Sequence, residues 1–376
     1  MKKIVIVNQS VNYLTIDIVN EFAKRYDQTI LIYGKLKISS KDINSSVNKK
    51  KIIAYNKKSI LSRIFTWTIA TIQICFLLIK YRKYEILFFT NPPLSYLPAS
   101  FLKLNFSIMV FDIYPDNLKN FGIRENHFIY KWWMKLNKKI FSRSKIIFTL
   151  GEGMRSKLAQ YVSKEKIKVV PLWSDINHFT PIPKEQNVFL KKYTIENKFI
   201  VMYSGNLGFT HSVEIIIELA KKLSCYPDIL FIIIGNGGKK TALQKTVYDY
   251  QLNNCLFLDW QPADMLPYSL SCADIGIVTV NENTSMLSVP SKTFNLMAAG
   301  TPLLCIASPK SELNFLIEKY DNGRCYSKNQ LNEMTEFVLV LKNNPMQRER
   351  MRQNSLSAAK NHTPQNAELL YKHLNK

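Results

Sequence analysis

Residues 202–219 read MYSGNLGFTHSVEIIIEL and form the most informative stretch of the chain. An apolar run ends in the glycine-containing turn at residues 204–208, and a helical pattern begins near Ser212. Glycine lets the backbone approach a ligand closely, and the first turn of a helix offers free N–H groups and a positive dipole end. The stretch therefore predicts a phosphate-binding turn with Asn206 and His211 as side-chain donors, although many such turns bind nothing.

Similar apolar runs occur on both sides of this stretch. They lie at residues 3–8, 29–33, 85–90, 107–112 and 145–150 before it, and at 198–204, 229–235, 255–259, 274–280 and 301–307 within and after it. Each run is apolar along its whole length, which is typical of parallel strands covered on both faces. Helical patterns such as residues 16–26 and 128–141 lie between them. We therefore expect an α/β chain with doubly wound parallel sheets.

The length and the restart of the strand pattern indicate two domains. A chain of 376 residues exceeds one ordinary α/β core. Residues 179–186 (FTPIPKEQ) contain two prolines and no clear periodicity, so we place the linker there. The expected domains are residues 1–180 and 187–355, with residues 356–376 forming a terminal helix that packs back toward the first domain.

The charge balance indicates an anionic partner. The chain contains 51 Lys and Arg against 28 Asp and Glu, a net charge of +23. Asn, Lys and Ile are abundant everywhere, so part of this excess is compositional. The rest fits nucleic acid, a phosphorylated ligand or a membrane surface. We expect no nucleic-acid partner, because no recognised binding motif accompanies the charge.

Two sequence features bear on metals and membranes. The six cysteines have no CxxC or metal-ligand spacing, and no Asp-x-Asp triplet occurs, so we expect neither a metal nor a cofactor. Residues 64–79 (IFTWTIATIQICFLLI) are uncharged but fall short of the roughly 20 residues of a transmembrane span. We interpret them as a buried or membrane-surface helix, with a span as the alternative, in a cytoplasmic protein.

Two further stretches resemble anion sites. Residues 232–240 (IIIGNGGKK) bring an apolar run into glycines followed by two lysines. Residues 288–302 (SVPSKTFNLMAAGTP) predict a helix that has Ser291 as N-cap and ends near Gly300. Lys292 on its first turn opposes the helix dipole, and a bound anion would remove that conflict. Three such helix starts in one domain point to a diphosphate-bearing ligand.

The same stretches, with residues 257–278 (FLDWQPADMLPYSLSCADIGIV), resemble the C-terminal domain of glycosyltransferase family 4. In the first half, residues 112–116 (DIYPD), 149–154 (TLGEGM) and 170–175 (VPLWSD) resemble elements of that family. The resemblance covers roughly residues 85–310. Within the family, the chain most resembles bacterial enzymes that assemble surface polysaccharides. It implies the GT-B fold, two Rossmann-like domains facing a central cleft, and metal-independent transfer that retains anomeric configuration.

The resemblance also assigns roles to residues. It implies an acceptor-binding first domain, a nucleotide-sugar-binding second domain, and catalytic roles for Asp112, His211 and Lys292. Donor-binding residues would be Gly205, Asn206, Leu207, Gly208, Gly235, Asn236, Gly237, Lys239, Gln261, Pro262, Ser291, Thr293 and Asn295. Asn8, Gln9 and Asp116 would lie on the acceptor side.

Two departures from the family pattern affect the expected site. Many members have two glutamates eight residues apart, whereas this chain has Leu287 and Asn295 in those places. Many also have a Gly-Gly turn after the first strand, where this chain has residues 8–11 (NQSV). The first departure leaves the donor less defined, and the second leaves the acceptor contacts less defined.

The expected function is transfer of a sugar, from a UDP-sugar by preference, to a lipid-pyrophosphate-linked saccharide at the inner face of the cytoplasmic membrane. Basic residues of the first half would meet anionic lipid, with Trp67, Phe76, Trp132 and Trp133 as interfacial or core aromatics. The alternatives are a nucleotide-sugar epimerase or hydrolase of the same fold and a non-catalytic scaffold.

Overall fold

The computed structural model describes residues 1–36, 41–56, 58–208, 212–280 and 290–375, and gives the backbone alone at residues 120 and 121. Its strands are β1 (Lys3–Val11), β2 (Gln28–Leu36), β3 (Asn48–Lys51), β4 (Glu85–Phe89), β5 (Asn105–Met109), β6 (Ile147–Thr149), β7 (Ile167–Val169), β8 (Phe199–Ser204), β9 (Ile229–Ile234), β10 (Cys255–Leu258), β11 (Ile275–Thr279), β12 (Leu303–Ile306) and β13 (Gly323–Tyr326).

Helices connect these strands. They are α1 (Tyr13–Ala23), α2 (Ile60–Lys80), α3 (Phe128–Arg143), α4 (Glu152–Leu158), α5 (Val188–Lys192), α6 (Glu214–Lys222), α7 (Lys240–Asp249), α8 (Leu266–Ser271), α9 (Lys292–Ala298), α10 (Glu312–Tyr320), α11 (Leu331–Asn343), α12 (Pro345–Ala359) and α13 (Ala367–Leu374). The contacts divide the chain into unit 1, residues 1–171 and 364–376, and unit 2, residues 172–363.

Unit 1 is built on a seven-stranded sheet in the order β3-β2-β1-β4-β5-β6-β7. Every neighbouring pair is parallel, from Lys3 opposite Gln28 in β1 and β2 to Thr149 opposite Val169 in β6 and β7. The central strands are buried on both faces, which explains their continuous apolar sequence. The chain reverses its direction across the sheet between β1 and β4.

Unit 2 contains a six-stranded parallel sheet in the order β10-β9-β8-β11-β12-β13. Successive strands are added on one side of β8 as far as β10 and then on its other side from β11 to β13. The switch point, where this direction changes, lies between β8 and β11. Ligands of open α/β sheets bind outside the carboxyl ends of strands at such a point. The fold prediction, α/β with two doubly wound parallel sheets, is confirmed.

Several predicted bounds were wrong in detail. The first strand continues to Val11, so residues 8–11 are strand and not a turn. The first helix begins at Tyr13, where Asn12 caps it by accepting from the Thr15 amide. The first segment of unit 1 ends at Pro171, before the predicted linker at residues 179–186. Its second segment begins at Pro364.

The apolar segment forms a longer helix than predicted. The structure contains 21 residues in α2, so this helix reaches the length and apolarity of a membrane span, whereas sixteen residues had suggested that it would be too short. Only 22% of its most apolar window is buried within the chain. Ser59 caps the helix in a reciprocal bond pair with Ser62, which adds the first turn that the apolar pattern alone does not reveal.

The end of the chain packs on unit 1 through α13. The ring of Tyr371 meets Phe22 and Tyr26 edge-on, at centroid distances of 6.1 and 6.0 Å. Arg25, two residues after the end of α1, forms a salt bridge with Glu368 of α13 at 2.8 Å. These contacts tie the last helix to α1 by both apolar burial and charge.

Candidate functional site

The loop after β8 is fixed by backbone bonds to the loop after β9. The amide of Gly205 donates to Ile234 O at 2.9 Å, and the amide of Leu207 donates to Asn236 O at 3.0 Å. The Tyr203 hydroxyl donates to Asn206 O at 2.8 Å. The two predicted glycine turns therefore lie side by side at the carboxyl ends of adjacent strands, where residues 205–208 and 235–237 form one hydrogen-bonded surface, here called the glycine edge.

Gly235 and Gly237 allow this close approach. Gly235 has a φ of +144°, and a Cβ there would overlap the carbonyl oxygen of Gly205. A Cβ on Gly237 would lie 2.5 Å from the carbonyl oxygen of Leu207. Side chains at either position would push the loops apart. The predicted residues Gly208 and Asn206 also touch, because a Cβ on Gly208 would meet the Asn206 amide nitrogen at 2.6 Å.

Lys292, the first residue of α9, reaches this edge from the other side of the switch point. Its Nζ lies 3.9 Å from the centre of the Tyr203 ring. It lies so close to Gly205 that a Cβ there would collide with it. Nζ is buried and has no hydrogen-bond partner among the described residues. Burial lowers the pKa of Lys292 to about 7, because an unpaired ammonium loses its hydration there.

The rest of α9 differs in part from the prediction. Ser291 precedes the helix but makes no capping bond through its side chain, and it is exposed. Thr293 is buried, and its hydroxyl has no partner within the described part of the chain. Asn295 accepts the Ser174 hydroxyl at 2.8 Å, so it positions the segment that enters unit 2.

The remaining predicted donor residues lie at the next strand ends. Lys239 caps α7 and pairs with Glu214 at 2.7 Å, so a phosphate would have to compete with that carboxylate. Gln261 donates to Asp259 O at 2.9 Å. Pro262 follows it and is exposed. The backbone amide of Lys239 donates a hydrogen bond to Leu207 O at 3.0 Å, which places Lys239 beside the glycine edge.

His211 lies outside the described residues, as does Leu287. The nearest described feature is the Ser212 amide, which donates to Thr279 Oγ1 at 3.2 Å and so brings the approach to α6 next to the end of β11. The catalytic role of His211 stays a prediction.

The two aspartates of unit 1 that the sequence assigned to the site have contrasting surroundings. Asp112 is exposed and accepts from Asn117 Nδ2 at 3.3 Å. Asp116 is only 1% exposed, and its carboxylate accepts the hydroxyls of Tyr130 at 3.0 Å and Tyr161 at 2.8 Å. Lys157 Nζ lies 3.2 Å away. The predicted acceptor-side role of Asp116 does not fit this geometry, because its oxygens point into the protein.

Asn8 and Gln9 are also held internally. Asn8 is buried in β1 and donates to Thr15 Oγ1 at 2.8 Å. Gln9 Nε2 donates to Ile53 O at 3.1 Å and to Thr66 O at 3.0 Å. Both side chains are buried within β1, which continues to Val11, so they leave little space for the predicted contact with an acceptor. These amides instead join β1 to α1 and α2.

Tyr203 was absent from the predicted site, although it touches two of its parts. Its ring supports Lys292 and its hydroxyl supports the glycine loop. The sequence offers only a weak signal for it, an aromatic residue two positions before the first glycine at the end of an apolar strand.

Comparisons with known proteins agree with this geometry. Residues 185–357 match the family model described as glycosyl transferases group 1. The putative colanic acid biosynthesis glycosyl transferase WcaI of Escherichia coli is 30% identical over 177 residues, 46% of this chain and 43% of the relative. The probable glycosyltransferase WbjE of Pseudomonas aeruginosa is 25% identical over 240 residues, 62% of this chain and 60% of the relative.

The chain therefore spans about half of the length of these curated relatives. Among solved structures, HepE of Anabaena in complex with UDP and glucose superposes with a TM-score of 0.77 at 13% identity, over all of both chains. That likeness shows a shared GT-B fold, as predicted. Together with the glycine edge at the switch point, the family match shows that residues 185–357 form a glycosyl transferases group 1 domain.

Proposed function

We propose that this chain is a retaining, metal-independent glycosyltransferase that takes a sugar from a nucleotide-sugar, with UDP as the preferred nucleotide and GDP as the second. The acceptor is a lipid-pyrophosphate-linked saccharide of surface-polysaccharide biosynthesis, reached at the inner face of the cytoplasmic membrane. Curated relatives named as glycosyltransferases, one of them in colanic acid biosynthesis, support this proposal. So does the presence of UDP and glucose in the HepE structure.

One observation favours a donor diphosphate in unit 2: the buried, unpartnered Nζ of Lys292 beside the glycine edge. An ammonium in that position is costly unless an anion arrives. The loops after β8 and β9 bring their backbone to the same place without side chains in the way. A diphosphate bound there would pair with the Lys292 amine and would also contact the backbone of the two glycine loops.

The proposed chemistry depends on fixed charges and dipoles. When the glycosidic bond to phosphate breaks, negative charge grows on the departing diphosphate. Lys292 and the donors of the Asn206 loop stabilise that charge, with His211 as a further candidate. The acceptor hydroxyl attacks from the face that the diphosphate leaves, and its proton passes to a phosphate oxygen. Configuration at the anomeric carbon is thereby retained.

Asp112 of unit 1 is the proposed acceptor-orienting residue. It is exposed, and it follows β5 at the carboxyl end of the sheet. In this scheme its carboxylate accepts a hydrogen bond from the attacking hydroxyl and does not need to be a strong base. A substitution to Asn would keep one acceptor oxygen, so the expected loss is smaller than for Lys292.

Calorimetric titration with UDP, GDP and ADP, in buffer with EDTA and again without it, tests the donor site. Selective binding of UDP that EDTA leaves unchanged supports the proposal. If no nucleotide binds at millimolar concentration, the donor-site proposal fails and a non-catalytic scaffold becomes the better account. If UDP binds, product analysis with UDP-sugars alone separates transfer from the alternatives, because an epimerase or hydrolase changes the donor without any acceptor.

A further inference from the structure

Helix α2 has an apolar side that the described part of the chain leaves uncovered. Leu61, Phe65, Ile72, Phe76 and Ile79, here called the α2 face, are between 46% and 80% exposed. Their spacing of three, four and seven residues places them on one side of the helix. Arg63 and Lys80 are the charged residues within the whole helix. A surface helix of a globular protein normally has polar residues there, so this mostly apolar face, which Thr68 interrupts, indicates a partner.

The opposite side of α2 packs against the rest of unit 1. Thr66, Ala70, Ile74 and Leu78 are buried. Gln9 Nε2 donates to Thr66 O at 3.0 Å, and the Ile53 amide donates to Gln73 Oε1 at 2.8 Å. A helix that crossed a bilayer would have to leave these contacts and expose the groups of unit 1 that they cover. The packing therefore favours a helix lying in the plane of a membrane surface, with one face in the protein and the other in lipid.

The sequence around this helix is strongly basic. No Asp or Glu occurs between Asp42 and Glu85, whereas the bases in that interval are Lys49, Lys50, Lys51, Lys57, Lys58, Arg63, Lys80, Arg82 and Lys83. Lys58 before the helix and Lys80, Arg82 and Lys83 at its end are exposed. Positive charge at both ends of an apolar face complements an anionic lipid surface.

Helix α3 is a neighbour of α2 with the same character. The Tyr114 ring lies 6.2 Å from Trp67 of α2 and 5.4 Å from Trp133 of α3, so it packs between the two helices. Trp132 and Phe128 of α3 are exposed. No acid occurs between Glu125 and Glu152. Of the aromatic residues considered for a membrane interface, Trp132 and Phe76 are exposed and remain available, whereas Trp133 is buried.

We propose that the α2 face docks in the headgroup–acyl boundary of an anionic bilayer, with α2 parallel to the membrane and the bases at its ends on lipid phosphates. A second copy of the chain is the weaker occupant. A two-fold contact brings the same patch against itself, so the basic ends would meet one another, and residues 43–84 contain no acid to pair with them. The inference names the surface for the proposed membrane association, but it does not need the transfer reaction to be correct.

Vesicle flotation without any nucleotide-sugar or acceptor tests the inference. The probes are vesicles of phosphatidylcholine alone and vesicles with about a third phosphatidylglycerol. We expect the chain to float with the anionic vesicles and to lose affinity as salt rises. The double substitution Phe65→Ser and Phe76→Ser should weaken binding at least about tenfold, because it removes two large apolar anchors. Phe315→Ser is the matched control, since Phe315 is 54% exposed on α10 of unit 2.

Failure has distinct signatures. Equal flotation of the double variant and the wild type would overturn the α2 face as the docking site. Retention of the wild type on vesicles after an alkaline carbonate wash would indicate a span and overturn the in-plane position. A dimer in light scattering that the double variant converts to a monomer would show a second copy as the occupant instead. None of these results depends on UDP binding, so the inference and the proposed reaction can fail separately.

Discussion

Lys292 Nζ lies 3.9 Å from the centre of the Tyr203 ring, and the hydroxyl of the same tyrosine holds Asn206 O at 2.8 Å. One buried side chain therefore supports both the amine and the glycine loop. The ring face offers a cation only weak compensation for lost water. A diphosphate at the glycine edge would offer a full ion pair, and the loop bond to Tyr203 would stay in place while Lys292 turned toward it.

Substitution of Lys292 tests the site most directly. Lys292→Ala should lower kcat by at least about 100-fold if the amine stabilises the leaving diphosphate, since loss of one transition-state charge partner has that size. Turnover of the donor with an acceptor from a membrane extract measures it. Lys221→Ala is a matched control, because Lys221 lies 3.6 Å from the Tyr250 ring but on the exposed surface of unit 2.

A loss below fivefold in folded Lys292→Ala protein would remove the amine from the mechanism. Stability gives a second readout of the same residue. The pKa of Lys292 is lowered to about 7 in the fold, so the folded state binds fewer protons than the unfolded state between that value and the ordinary lysine pKa. Its burial penalty is thus full below pH 7 and fades as pH rises. Lys292→Met should raise the melting temperature at pH 7, and the gain should shrink toward pH 10.

Donor binding should also take up a proton. A diphosphate beside Lys292 restores its pKa toward the ordinary value, because the anion compensates the buried ammonium. At pH 8 the free amine is mostly neutral, so binding of UDP should draw up to about one proton from the buffer. Titrations at pH 8 in buffers of different ionisation enthalpy measure this uptake. Lys292→Ala should abolish it, and the absence of uptake in the wild type would place the phosphates elsewhere.

The sequence predicts the central strands of both sheets, where burial is two-sided, and of the four edge strands it predicts β10 but misses β3, β7 and β13. β3 (Asn48–Lys51) reads NKKK and joins the sheet through backbone pairing with β2 alone. No pattern of hydrophobicity distinguishes such an edge strand from a loop. β7 has only three residues, and β13 begins with Gly323, so neither shows the length or composition on which strand prediction depends.

The site shows the same division. Glycine turns after apolar runs are local features, so Gly205 and Gly235 were identified correctly as neighbours of strand ends. The approach of Lys292 to Tyr203 joins residues of α9 and β8 and depends on the strand order, which a single sequence does not give. Asp116 fails as an acceptor-side residue for a related reason: only the fold reveals that Tyr130 and Tyr161 enclose it.

The contact of the two glycine loops predicts a sharp response at Gly235. Gly235→Ala should destabilise unit 2 by more than about 3 kcal/mol, because the backbone has a φ of +144° and the new Cβ would overlap Gly205 O. Gly122→Ala is the control: its φ is +80°, but nothing lies within 4 Å of the new Cβ, so about 1 kcal/mol is expected. Urea unfolding followed by tryptophan fluorescence measures both. Equal costs would mean that the loops separate without penalty.

Asp112 and Asp116 of unit 1 should respond to substitution in opposite ways. Asp116→Asn replaces a buried carboxylate that accepts from two tyrosines and faces Lys157, so it should cost about 2 kcal/mol and lower the melting temperature by several degrees. Asp112→Asn changes an exposed group, so stability should shift by less than about 0.5 kcal/mol while kcat falls if the carboxylate orients the acceptor. Thermal melts and turnover, measured on both variants, separate a structural from an acceptor-binding carboxylate. A large stability loss at Asp112 with none at Asp116 would reverse the assignment and return Asp116 to the acceptor side.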